Sequence, residues 1–362
     1  MHVLSAGRVV GALRRTLVVV TVLVTALVSS AAAEQRLYIH NTFSGEITKI
    51  GIPDDPSGEH EILGTIEIGH YMDYITASPD GRVIYVNRVD TLGDEGAAPN
   101  IGESGELIAI DAATDEILWR LAIEGMTHHM SVSKDGRYVF VPLWDSFWLA
   151  VVDTETRQLA KKIYTGHGGH GSKVSHDGKR LYVGSMLTDQ LWVIDTESLE
   201  LVDRIHFDDG VRPFALAKDD SRVFVQLSRL HGFDVVDLPS KRKAGRVMMP
   251  TLGRSFEIPE EYPHNVNHGI AVSPDGKTLL SAGSIIDIVA KFSLPDLRLQ
   301  GTIDVGKDPN SIVYSKDGTF AYVSNRKEDT LSVLRVDTLE EVQRISLGKY
   351  PQRMVVIDVA TP

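Results

Sequence analysis

Cysteine is absent from the 362 residues. That excludes a disulfide framework, a thiolate metal site, c-type haem attachment and a thiol nucleophile. Basic residues are in deficit: 37 Lys and Arg face 49 Asp and Glu, a net charge of −12. A nucleic-acid partner is therefore not expected, because a basic face would have to be gathered against the overall field. Aromatic residues make up 7% of the chain, and Trp119, Trp144, Trp148 and Trp192 lack the spacing of an aromatic cage, so they read as packing residues. No Walker-type phosphate loop, His-Glu-x-x-His or Gly-x-Ser-x-Gly occurs. Gly166-His-Gly-Gly-His-Gly171 is glycine-rich but precedes a strand, so it is not expected to cradle a dinucleotide. The 43% hydrophobic and 24% charged residues suit a folded globular chain of one large or two ordinary domains.

The long apolar run lies at the N-terminus. Arg8, Arg14 and Arg15 precede residues 17–28, which are apolar except for Thr21 and Thr25, and Ala31-Ala32-Ala33 offers a small-residue cleavage site. Residues 1–33 thus read as a secretory signal, with an uncleaved anchor as the alternative. Arg14-Arg15-Thr16-Leu17-Val18 also fits a twin-arginine signal loosely, leaving two export routes open. The mature chain, 34–362, carries 34 basic and 49 acidic side chains, a net of −15. The expected product is a periplasmic or secreted protein with no membrane span once the signal is cleaved.

The rest of the chain repeats. Ser-x-Asp-Gly recurs at Ser78, Ser133, Ser175, Ser273 and Ser315, with Ala217-Lys-Asp-Asp220 as a degenerate sixth copy. Asp111, Asp153, Asp195 and Asp237 form a second ladder with a step of 42. Each unit reads as an apolar strand, an Asp-Gly turn whose Gly takes a positive φ, and three further strands. Four strands per unit of about 40 to 45 residues mark a propeller blade. First strands begin near Met72, Thr127, Gly169, Val211, Asn267 and Pro309. A seventh starts at Tyr350 and runs out at Pro362, while three strands at Gln35–His40, Glu46–Ile50 and 63–68 lack a first strand. The expected fold is all-β: one seven-bladed β-propeller of four-stranded antiparallel blades, its ring closed by N-terminal strands joining the C-terminal inner strand.

The blades differ where the inner strands begin. One and three places before each anchor the residues are mostly apolar, as in Ile75, Met130, Phe214 and Ile312. Five places before it stand Asp73, His128, His170, Arg212, His268, Asn310 and, with Ile357 as anchor, Gln352. Strand alternation predicts that these share one side. His129, His70, His167, His264 and His40 crowd the same end. Neutral imidazole is the commonest metal ligand, and several His with a carboxylate suit zinc, copper or iron. His128, His170 and His268, with Arg212 beside them, are the expected cofactor ligands; His129, His264 and Asp73 complete the candidate metal set. The alternative is hydrogen bonding to backbone groups at the channel mouth. Blades one and four exceed the 42-residue step by thirteen and fourteen residues, at 90–104 and 249–263. Both insertions are expected over the histidine face, as a lid.

The units resemble YVTN-type propeller repeats, as in Tyr322-Val-Ser-Asn325, over essentially the whole mature chain. His128-His129-Met-Ser-Val-Ser-Lys-Asp-Gly resembles the inner strand of the cytochrome d1 haem propellers, whose proximal ligand is a His at such a strand start. It is also similar to the His-His inner strand of nitrous-oxide reductase, though four of the seven ring positions lack His. These resemblances imply a metal or haem-type redox cofactor, with d1-type haem, copper, zinc and iron all open, and a role in electron transfer or cofactor handling. A non-catalytic YVTN-type interaction module and a metal-dependent lactonase or hydrolase are the competing readings. The expected state is a monomer, with a periplasmic redox protein or a small ligand as partner.

Overall fold

The structure is a computed structural model that describes residues 2, 34–89, 104–258 and 266–359. The candidate signal, residues 90–103 of the first insertion, residues 259–263 of the second and His264 lie outside the described residues. Among the described residues there are 28 strands, and no helix is long and apolar enough to cross a membrane. The strands form seven four-stranded antiparallel sheets, six of them in sequence order. The seventh takes its inner strand from the C-terminus, Pro351–Val359, followed by Glu34–Asn41, Glu46–Gly51 and Glu61–Glu67. The antiparallel pairing of Arg36 with Ile357 and Leu37 with Val356 closes the ring as the repeat count predicts.

The repeated residues build one end of every blade. Ser78, Ser133, Ser175, Ser273 and Ser315 each donate Oγ–H to the Asp two places on, at 2.5–2.6 Å. Each Oγ in turn accepts the backbone N–H five residues on, from Val83 in blade 1 to Phe320 in blade 6. The chain reverses there through Gly81, Gly136, Gly178, Gly276 and Gly318 at φ +71 to +80°, a region that costs an L-residue about 1–2 kcal/mol. Asp111, Asp153 and Asp195 accept backbone N–H groups in the outer hairpins, which explains the second ladder.

Seven apolar clusters fill the blade interfaces. Tyr38, Ile47, Met72 and Ile108 pack blade 7 against blade 1, and Leu37, Ile39, Tyr322 and Val333 pack blade 6 against blade 7. Ile75, Met130, Phe214, Ile270 and Ile312, three places before their anchors, are buried in these layers. Fourth strands are mostly exposed, as in Gln158–Tyr164. The ring therefore holds each inner strand by its outer neighbours and leaves its other face to the central channel.

Candidate functional site

Strand alternation places the residues two and four positions before each anchor on the channel side. The ring four back is Tyr74, His129, Gly171, Pro213, Gly269, Ser311 and Arg353, and all seven line a cavity of about 90 Å³. Below it Thr76, Ser131, Lys173, Ala215, Ala271 and Val313, two back, line a wider space of about 530 Å³ towards the Asp-Gly turns. The position five back does not follow the alternation. In blades 1, 3, 4, 6 and 7 the pairing register slips there, at Met72/Tyr74, Gly169/Ser172, Val211/Phe214, Pro309/Ser311 and opposite Ile39/Asn41. A bulge adds a residue to one strand and re-aims its side chain. Asp73, His170, Arg212, Asn310 and Gln352 thus sit at a recurrent bulge at the mouth, above the channel ring.

Blades 2 and 5 lack the register slip and have the shortest inner strands, Ser131–Val132 and Ile270–Val272. Their upper halves keep single bonds to their own blades, His128 N–H to the Pro142 carbonyl and Ala282 N–H to the Gly269 carbonyl, in place of a regular ladder. His129 pairs with the neighbouring blade instead, its N–H donating to the His170 carbonyl at 3.0 Å while its carbonyl accepts from Ser172 N–H at 3.1 Å. His268 donates Nδ1–H to the Asn310 carbonyl of the next blade at 2.8 Å. These departures carry two imidazoles towards the channel axis.

There the histidines meet. Ring centroids stand 4.4 Å apart for His128 and His129, 4.7 Å for His128 and His170, and 4.2 Å for His129 and His170. His268 lies 5.8 Å from His129 and 5.5 Å from His170. One ligand atom from each of His128, His129 and His170 falls within 4.8 Å of the others. Asp73 Oδ2 is 2.8 Å from His128 Nδ1 and 4.0 Å from His129 Nε2. The 2.8 Å approach lacks hydrogen-bonding geometry, so both atoms are buried without a bonded partner, as is His170 Nδ1.

Arg353 closes the lower side of the cluster. Its Nη2 reaches His129 Nε2 at 2.7 Å and His268 Nε2 at 3.1 Å, its Nε reaches His129 Nε2 at 3.2 Å, and its Nη1 donates to Asn310 Oδ1. A guanidinium only donates, so His129 and His268 both hold the proton on Nδ1 and turn an Nε2 lone pair inwards. His129 also stacks on Tyr74, centroids 4.9 Å apart.

Burial, reinforced by neighbouring positive charge, pushes His129, His170 and His268 well below the usual imidazole value. Burial takes His40 down to about 3, although the Asp73 charge opposes it. Burial would raise the Asp73 carboxyl, but the 2.8 Å contact with His128 and the charges of Arg353 and His40 hold it below its ordinary range. Burial lowers Arg353 to about 10, so it stays charged at neutral pH.

The cluster thus contains His128, His129, His170, His268 and Asp73. Arg212 is buried nearby, bonded to Ser228 Oγ at 2.9 Å, and its charge reaches His170 and His268. His40 supports the site from behind, with Nε2 3.1 Å from the Asp73 carbonyl and 3.3 Å from Arg353 N. His70 sits on the exposed rim against the Phe43 carbonyl, and His167 packs on Trp144 and Phe147, so neither joins. Sequence reasoning selected Gln352 and missed Arg353, one residue later. The signal was present: Arg353 and His129 are the two basic residues at the four-back position, and that position faces the channel.

Donor chemistry fits a metal. Metal–imidazole bonds of about 2.0–2.1 Å place tetrahedral ligand atoms roughly 3.3 Å apart, so shifts on the order of 1 Å, with Arg353 released from His129 Nε2, would bring His128, His129 and His170 onto one ion. A haem does not fit the 90 Å³ cavity beneath, since cofactor pockets span about 300–1,000 Å³. Haem iron would be reached from the mouth, where His128 and His170 lie.

A family model of the cytochrome D1 heme domain matches residues 101–225, the segment with His128, His129 and His170. A model of the seven-bladed lactonase propeller matches residues 294–359, which include Asn310 and Arg353. No curated protein matches the chain. Among solved structures, hydrazine synthase of Kuenenia stuttgartiensis is similar with a TM-score of 0.64 at 19% identity, covering 80% of this chain and 96% of that one. The periplasmic gluconolactonase PpgL of Pseudomonas aeruginosa gives 0.71 at 18%, covering 90% and 100%. Dihydro-heme d1 dehydrogenase NirN in complex with DHE gives 0.59 at 15%, covering 88% and 74%. The chain is a seven-bladed β-propeller that resembles the cytochrome d1 haem domain in one segment and the lactonase propellers in another.

Proposed function

We propose that the chain is an exported propeller that holds a transition-metal ion, free or as the iron of a d1-type haem, on imidazoles at the mouth of its channel. Its role is then electron transfer or cofactor handling. The observation that carries this reading is the convergence of His128, His129 and His170 within 4.8 Å, with unpartnered buried atoms on His128, His170 and Asp73 facing one another. Buried polar atoms are normally bonded, and one cation between them would satisfy all three. A bound redox metal would supply one-electron exchange. The chain's own part is to hold neutral imidazoles in fixed tautomers and to set a carboxylate against His128. The d1-domain match over this segment supports the reading, and the signal-like N-terminus with the periplasmic gluconolactonase neighbour supports export.

Elemental analysis and a visible spectrum of protein from the exported fraction test it. Iron with a haem band supports the haem branch, and stoichiometric copper, zinc or non-haem iron supports a bare metal site. Failure to take up any of these at one per chain, as isolated and after reconstitution, removes the reading in favour of a metal-free interaction module. The lactonase match favours a second reading, hydrolysis of sugar lactones. Turnover of gluconolactone that is lost on chelation and restored by added metal would select it in the metal-dependent form.

A further inference from the structure

In a chain with a net charge of −12, the central channel has the opposite sign. Among the described residues no Asp or Glu lines it from the imidazole ring down to the lower opening. Its charged residues are Arg353 and Lys173 above and Lys218 below. Arg353 is 6% exposed and makes no ion pair among the described residues. Its donors go to His129, His268 and Asn310, all neutral. The nearest opposing charge is Asp73, which acts on Arg353 across the imidazoles and is held in a 2.8 Å contact by His128. A buried cation without a directly paired counter-ion costs several kcal/mol, on the order of the desolvation penalty. Beside it, the Asn310 Nδ2 donor is fully buried and unpartnered, while the amide oxygen accepts from Arg353. An incompletely neutralised cation and an idle donor therefore lie together at the cavity.

We propose that the channel beneath the imidazoles binds a short-chain carboxylate, head upward. The carboxylate accepts from Asn310 Nδ2–H in the field of Arg353 and Lys173. Its tail runs down between Ala215, Ala271 and Val313. The upper cavity of about 90 Å³ equals about three waters at roughly 30 Å³ each, which suits a carboxyl group but not a sugar ring. The wider space of about 530 Å³ below takes the remainder, and Lys218 marks the entrance. This site lies on the channel side of Arg353 and needs no metal, so it stands or falls separately from the metal reading.

The test is calorimetric titration of chelator-treated exported protein with acetate and butyrate, against acetamide and butyramide at equal ionic strength. Saturable one-to-one binding of the acids alone is expected, with butyrate the tighter. Arg353→Gln should weaken binding by more than about tenfold, a charge-pair effect of at least ~1.4 kcal/mol. Asn310→Asp installs the counter-charge within the chain. It should abolish acid binding and raise the thermal midpoint, a readout that stands even if Arg353→Gln fails to fold. Equal binding of acids and amides, no saturable binding, or a lowered midpoint with intact binding in Asn310→Asp would overturn the proposal.

Discussion

The two ends of the propeller follow opposite rules. At the lower rim five blades repeat the same Ser-x-Asp-Gly turn with the same bonds to within a few tenths of an ångström. At the upper mouth the seven five-back residues are of five kinds, and in two blades His129 and His268 bond across to the next blade. A closed ring needs each blade to reverse in the same way, so identity at the lower rim serves the fold. Nothing in blade packing calls for imidazole beside guanidinium at the mouth. The difference there is the part of the sequence available to function.

The largest expected effect breaks the mouth and spares the rim. His128→Ala, His129→Ala and His170→Ala together should lower metal content, read by elemental analysis, by more than about tenfold, because three of the candidate ligands go. Ser133→Ala, four residues after His129 at the opposite end of the same inner segment, should leave metal content unchanged. Equal loss in both would place the effect in folding rather than in ligation.

Acid should also separate the two ends. The unfolded chain binds protons at its histidines from about pH 6.5 downward, whereas burial keeps His60 neutral to about 4 and His40 to about 3, and holds His129, His170 and His268 lower than ordinary imidazole. Stability is then fully present above about pH 6.5 and falls as pH drops towards 3, by about 1.4 kcal/mol per pH unit for each histidine kept neutral. Denaturant midpoints measured from pH 7.5 to 4.5 should decline steeply. His60→Leu should flatten the slope by about one such increment per unit, and a flat profile would contradict the burial of these rings.

This contrast also explains what the sequence made legible. The period of 42, the Asp-Gly turns and the orphan strands at both ends were sufficient for seven blades and for ring closure, because each repeats a bond that depends on residue type alone. The histidine cluster was legible in outline, since His128, His170 and His268 share one register position. The centre of the site was legible but weakly marked. Alternation turns the four-back residues His129 and Arg353 to the channel, yet most residues at that position are small or uncharged. The five-back position is polar in every blade and drew the reading to His128 and Gln352. His264 and residues 90–103 and 259–263 of the lid segments lie outside the described residues. The described part of the second segment ties to blade 5, where Arg254 donates to the Ile286 carbonyl and to Asp304.

A smaller effect tests the sameness of the rim. Ser133→Ala, Ser175→Ala and Ser315→Ala each strip a backbone N–H of its acceptor, at Tyr138, Arg180 and Phe320. A lost bond with a donor left unsatisfied costs about 1–3 kcal/mol. The three costs, from urea denaturation, should agree within about 0.5 kcal/mol, the usual scatter of independent sites. Widely different values would mean that the turns are alike in shape but not in load.

The smallest effect concerns the one copy that departs from the rule. In blade 4 Asp220 stands at the turn position that Gly fills elsewhere, at φ +55°. Restoring Gly should relieve about 1–2 kcal/mol of backbone strain, and sequence alone would score Asp220→Gly as an improvement. Yet the Asp220 carboxylate accepts His176 N–H at 3.0 Å, His176 Nδ1–H at 2.7 Å and Asp177 N–H at 3.0 Å, all from the turn of blade 3. Three such bonds, at about 0.5–1.5 kcal/mol each, exceed the strain relieved. Asp220→Gly should therefore lower stability by about 1 kcal/mol, while Asp220→Asn, which keeps an acceptor, should fall between it and the parent. If Asp220→Gly is the more stable protein, the sixth copy is only a decayed turn. If not, the rim too contains one residue chosen for its neighbour rather than for its own blade.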